Sequence, residues 1–318
     1  MKRINVLTAA GALLLVAGPA HTITAAGFNP KSSSYRATSS GFDGAYSGVA
    51  EVLIVRSDLG HGVVEGCSGT LLADGVSILT SAHCIAGADG AEQATAAYVA
   101  FTTPDGAYTS QVVSFKVDPA YDGSVASPND VAVLTLASPA PDTVTRYNLY
   151  AGDPSGQIMT LAGYGIGGAG TTGYNPIEYP FGTLRAGENE YDPYAGTGDL
   201  MFDFDDGSTA LDGLGSSEDP RYSGADEAFI APGDAGGPSF IDGEVAGVHS
   251  YDTFPDGGLD TGDVLNSSFG KVAADASVAY NLEFNQSALL SAPEPRLMML
   301  LGVALVSIAL VGDKRRHR

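Results

Sequence analysis

The residues with the clearest chemical content are Gly233-Asp234-Ala235-Gly236-Gly237-Pro238. Three glycines in six positions let the backbone turn its N–H groups to one side, the arrangement that holds a developing negative charge. At the centre stands Ala235, which has no atom able to attack a carbonyl. Two other stretches carry titratable groups beside apolar runs. Leu79-Thr80-Ser81-Ala82-His83-Cys84 offers an imidazole, able to take or give a proton near neutral pH. Asn129-Asp130-Val131-Ala132-Val133-Leu134 offers a carboxylate at the start of a β-type run. Taken singly, His83 is an ordinary loop histidine and Asp130 a turn residue.

Taken together, the stretches resemble the trypsin-like (chymotrypsin-fold, S1) serine proteases. Cys67-Ser68-Gly69-Thr70-Leu71-Leu72 and the histidine block are similar to that family's C-S-G-T-L-[IL] and L-T-A-A-H-C. The Asp130 block is similar to N-D-[IV]-A-[LV]-[LI], and the hexapeptide matches GDSGGP at five of six positions. The resemblance implies His83 as general base and Asp130 as the group that fixes its tautomer. It implies an oxyanion hole from the amides of Gly233 and Ala235, with Ala235 in the nucleophile's place. It also implies a Cys67–Cys84 disulfide. The residues alone leave a disulfide or a reduced buried pair open. Leu161-Ala162-Gly163-Tyr164-Gly165 resembles the G-W-G segment that opens the second barrel. Val245-Ala246-Gly247-Val248-His249-Ser250-Tyr251-Asp252 resembles the strand along which substrate lies. By the same match Phe229, Ser250, Tyr251 and Asp252 line the substrate groove, and Phe229 is no floor for a Lys/Arg pocket. His249 reads as structural. The family's activating IVGG-like N-terminus has no counterpart; Tyr46-Ser47-Gly48-Val49-Ala50 is the nearest stretch.

These groups need a scaffold, and the chain supplies many short β-type runs broken by Gly, Asp and Pro. Examples are Val52–Val55, Val76–Thr80, Ala97–Phe101, Val112–Phe115 and Val131–Leu136. Helical periodicity is confined to about 278–290. The expected fold is all-β: two six-stranded antiparallel Greek-key barrels, about 47–155 and 156–275, with a C-terminal helix and a further short hydrophobic helix at the end. The expected boundaries are 1–26 for a signal peptide, 27–46 for a linker or pro-segment, 47–292 for the protease-like domain and 293–318 for a sorting segment.

Lys2 and Arg3 precede the apolar run Val6–Ala17, the order of a secretory signal, with cleavage after Ala20 or Ala26. At the other end Pro293-Glu294-Pro295, apolar Leu297–Val311 and Lys314-Arg315-Arg316-His317-Arg318 resemble a PEP-CTERM tail. That resemblance implies a Gram-negative source, exosortase and signal peptidase as processing enzymes, and transient inner-membrane association. The implied destination is the periplasm, cell surface or extracellular matrix. The formal charge is −22, and the tails hold seven of 15 basic residues but two of 37 acids. Such an acidic body repels nucleic acid and anionic lipid. Asp203-Phe204-Asp205-Asp206-Gly207 could supply oxygen ligands to Ca²⁺, but it lacks the spacing of a calcium loop, and solvated acidic turns are the simpler reading. No cofactor is otherwise expected.

The functional expectation is an exported S1 homologue that has lost its nucleophile and kept a groove for extended peptide. Two alternatives stand beside it: a secreted serine endopeptidase that hydrolyses peptide bonds weakly, and a structural or binding component of the cell surface or matrix.

Overall fold

The computed structural model describes residues 21–25, 44, 46–60, 63–103, 105–193, 198–208, 211–215, 227–253 and 266–291. The expected sorting segment and its hydrophobic helix lie outside these residues. Among the described residues no helix is long and apolar enough to cross a membrane.

Strand β1 (His21–Ala25) comes first and is followed by six strands of one barrel. These are β2 (Val49–Arg56), β3 (Val64–Leu71), β4 (Ser77–Thr80), β5 (Ala94–Thr103), β6 (Gly106–Val117) and β7 (Ala132–Leu136). Side chains alternate between buried and half-buried along β2, as a strand with one face on a core requires. The six strands close in the order β2-β3-β4-β7-β6-β5 around Val52, Ile54, Leu71, Ile78, Val99, Phe101 and Leu134.

The chain then runs through β8 (Ile158–Gly163), β9 (Gly168–Ala169), β10 (Gly173–Tyr174), β11 (Arg185–Glu190) and β12 (Asp199–Phe204). It continues with β13 (Ala228–Ala231), β14 (Pro238–Ile241), β15 (Glu244–Thr253), β16 (Lys271–Ser277) and helix α1 (Leu282–Ser291). Six of these form an antiparallel sheet in the order β11-β8-β14-β15-β16-β12. Numbered along the chain, the six repeat the first barrel's strand permutation. This second sheet is a half-barrel whose edge strands meet at a seam. There the amide of Asp192 donates to the carbonyl of Met201 at 2.9 Å, and Asn189 Nδ2 donates to the carbonyl of Asp203 at 2.8 Å. The all-β double-barrel expectation holds, as does a helix after the last strand.

A small third sheet, β10-β9-β1-β13, lies at the side. In it β1 runs antiparallel to β13 and parallel to β9, so a strand from the N-terminal region is joined to the one that leads into the glycine-rich loop.

Behind that loop lies a buried polar network. Ser239 Oγ is 2.5 Å from Asp275 Oδ2 and 3.2 Å from His249 Nε2, and the Tyr191 hydroxyl donates to the same carboxylate oxygen at 2.5 Å. All four residues are fully buried. Burial pushes the Asp275 carboxyl from 3.8 up to about 7, against the pull of the two hydroxyls. The unfolded carboxyl ionises first, so unfolding releases a proton between about pH 4 and pH 7, and stability falls as pH rises through that window. Asp275→Asn is expected to flatten this slope. The variant should match the native chain in urea titrations near pH 4 and exceed it at pH 7.5 by up to about 4 kcal/mol.

Candidate active site

Cys67 on β3 and Cys84 in the 3-10 turn Ala82–Cys84 form a disulfide across a separation of 17 residues. It ties the turn that presents His83 to the barrel wall. Replacing both cysteines with serine is expected to cost about 3 kcal/mol by loop-closure entropy, read as a lower urea midpoint.

The imidazole faces the carboxylate that precedes β7. Asp130 is fully buried. Its Oδ1 accepts the backbone N–H of His83 at 2.8 Å, and its Oδ2 lies 2.6 Å from His83 Nδ1. One carboxylate thus fixes both the turn and the ring. Burial disfavours the imidazolium, but the attraction and hydrogen bond of Asp130, helped by Glu65, outweigh it, so the His83 pKa is raised. The ring remains 17% exposed.

The glycine-rich loop joins β13 to β14 and comes from the other half of the molecule. Gly233 and Gly236 have φ of 105° and 82°, a region that side chains rarely adopt. A Cβ on Gly236 would lie 2.1 Å from Thr80 Oγ1, so the loop sits directly against the first barrel. The amides of Gly233 and Ala235 donate to no other group among the described residues. Asp234 is turned inward, its Oδ1 accepting the Gly165 amide at 3.1 Å and its Oδ2 the Ala231 amide at 3.3 Å. Burial pushes its carboxyl well above the usual range, against the pull of the Gly165 amide and of Arg185.

A histidine with its carboxylate partner therefore stands on the closed barrel, and the glycine-rich loop of the half-barrel packs against that same barrel. Residues 50–191 match the family model described as Trypsin. This stretch is similar to the trypsin family. The match covers His83 and Asp130 and stops short of Ala235, whose place is given by the fold. Curated proteins offer no match to the chain.

Several residues of the candidate site depart from the sequence reading. Phe229 does not line an open groove. It is fully buried and stacked on Phe204, with centroids 5.2 Å apart and planes at 8°. Four aromatic rings from β12, β13 and the segment before β16 gather here, and their packing draws Phe229 inward. Ser250 is 2% exposed and also leaves the groove. Its hydroxyl reaches Asp130 Oδ2 and lies 2.6 Å from the carbonyl of Val125, so it positions the acid. Asp252 is buried too, and its Oδ2 takes a hydrogen bond from Ser267 Oγ at 3.2 Å. Tyr251 stays half-buried on β15.

Asp203, Asp205 and Asp206 do not converge on a cation. Asp203 accepts the amides of Gly213 and Leu214, Asp205 that of Gly207 and Asp206 that of Ser208. No group of three or more potential metal ligands is found among the described residues. These carboxylates cap turns, as the acidic-turn reading has it, although Asp203 and Asp205 are buried rather than solvated.

Three residues support the site; Ser68 and Arg56 carried no role in the sequence, and His249 was read there as structural. Ser68 Oγ donates to the carbonyl of Gly233 at 2.8 Å and accepts the amide of Tyr164 at 2.9 Å, bracing the loop from the C-S-G-T block. Arg56, paired with Asp58 and Glu65, donates to the carbonyl of His83 at 2.5 Å. His249 clamps the loop through its backbone: its carbonyl accepts from Gly236 and Ser81, and its amide donates to Gly237. Ser68 sits inside a quoted motif and could have been found from sequence. Arg56 and His249 act across long separations that no local pattern encodes.

Proposed function

We propose that this chain is an exported pseudo-protease: an S1-type scaffold that binds extended peptide and does not cleave it. The observation that carries the reading is the pairing of an assembled His83–Asp130 base with unengaged loop amides around a residue that has no nucleophile. Each half of the apparatus has a use in acyl transfer, and the bond-forming atom is missing from between them. A binding role draws support from β15, which continues to Thr253 past its pairing with β14 at Val248. Such a strand can take an extended peptide alongside. Export is supported by the leader-like N-terminal order and the PEP-CTERM-like tail, with exosortase and signal peptidase as processing enzymes and the cell surface or matrix as destination.

The test is a fluorophosphonate probe applied to the purified native chain. No labelled adduct is expected on any side chain, and no turnover of a mixed peptide library above a heat-inactivated control. A covalent adduct in the groove overturns the reading.

A further inference from the structure

A cavity of about 450 Å³ lies between the start of helix α1 and the end of strand β6, and neither His83 nor the glycine-rich loop forms part of its wall. That size suits a small molecule. The wall is held from behind by Asn281, which is 3% exposed. Its Nδ2 donates to the carbonyls of Pro128 at 2.7 Å and Ser277 at 3.0 Å, and its Oδ1 accepts from Asn129 Nδ2 at 2.9 Å. The entry to the helix is thus knotted to the loop before β7, and Asn129 Oδ1 is left without a partner among the described residues. Asp118 lines the same cavity and is 6% exposed. Its Oδ1 accepts the Ala120 amide at 2.8 Å, while its other oxygen has no partner among the described residues. A buried carboxylate oxygen in that position calls for a donor. Lys116 Nζ stands 5.5 Å from the centre of the Phe284 ring and makes one hydrogen bond among the described residues, a long one to Ser287 Oγ at 3.4 Å. At the mouth, the Tyr280 ring rests on Gly198, where a Cβ would come within 2.8 Å of it, yet the residue stays 55% exposed.

We propose that this cavity binds a neutral carbohydrate, its hydroxyls shared between the Asp118 carboxylate and the Lys116 ammonium and a sugar-ring face laid on Tyr280. The choice follows from what the wall rejects. An anion meets Asp118 and Glu283 in a chain of formal charge −22, and a simple cation meets Lys116. An apolar ligand strips water from these charges and returns no hydrogen bond. An amino-acid zwitterion meets the charges at two points, but the wall also carries the uncharged Asn129 oxygen and Tyr280 hydroxyl. Hydroxyl groups answer every member of this set, because each donates and accepts. The C–H face of a sugar ring gives the held, exposed aromatic its apolar partner. The site is preformed, so binding orders few side chains.

The experiment passes the native chain over an array of immobilised neutral and acidic oligosaccharides, then titrates the best-bound neutral one, free in solution, by calorimetry. At least one neutral oligosaccharide is expected to bind, with no preference for sulfated or uronic-acid-bearing ones. Asp118→Asn should weaken that oligosaccharide by about tenfold or more, the worth of one charge-assisted hydrogen bond. Tyr280→Ala should weaken it about fivefold through lost apolar contact, with a urea midpoint close to native because the ring is exposed. Saturation-transfer NMR should place the strongest signals on the C–H protons of one ring face, and Tyr280→Ala should erase that bias. Absence of any bound neutral oligosaccharide, preference for acidic ones, or unchanged affinity in both variants overturns the assignment. Tighter binding of free amino acids than of any oligosaccharide gives the cavity to a zwitterion and overturns it too. None of these results touches the fluorophosphonate test of the His83 site.

Discussion

Ala235→Ser is expected to turn a chain that ignores fluorophosphonates into one that is labelled at residue 235. Removing the serine from an otherwise complete triad costs on the order of 10⁶ in turnover, so restoring it to an assembled site should recover a comparable factor. The conditions for recovery are on hand. The base is held by both oxygens of Asp130, and the amides of Gly233 and Ala235 donate to no other group among the described residues. Ser68 and His249 hold the loop from both sides. The new hydroxyl would find Nε2 ready to receive its proton. Mass spectrometry of the labelled variant should place the adduct on residue 235. A folded variant that stays unlabelled would show that the loop and base are not in register, and the proposed scaffold would fall with it.

In that serine background, Asp130→Asn should reduce the labelling rate by about 10⁴, because an amide in place of the carboxylate presents the wrong tautomer to the histidine. The effect should be severe here for a structural reason: the same carboxylate also fixes the His83 backbone. Loss of the negative charge should lower the His83 pKa, moving the acid limb of the pH–rate profile to lower pH. Stopped-flow labelling across pH 5–9 separates the two contributions. A fall at all pH values with no displacement of the limb would remove Asp130 from its electrostatic role.

The blocks that announced the site in the sequence were those where chemistry constrains consecutive residues. His83 lies beside Cys84 and Asp130 beside the apolar Val131–Leu134 run, so each carries its structural context with it. The short β runs were equally legible, because alternating burial leaves a local trace, as along β2. What escaped was decided by packing between distant elements. Phe229 was assigned to an open groove by counting positions, but its burial depends on Phe202 and Phe204 from β12 and on Phe269. Ser250 was placed among groove residues, yet its partner Asp130 lies 120 positions away. The acidic run around Asp203 read as solvated turns, and the burial of Asp203 and Asp205 appears only once the backbone amides they accept are placed.

Strand β1 bears on how the polypeptide matures. It is hydrogen-bonded on both sides, to β13 and to β9, and β13 passes directly into the loop that carries Ala235. If the proposed leader is cut after Ala20 the strand stays in the finished protein, whereas a cut after Ala26 would strip it away and bare two neighbouring sheet edges. In the proposed maturation, the choice of scissile bond would thus decide whether the strand leading into the glycine-rich loop keeps its partner, about 200 residues further along the chain.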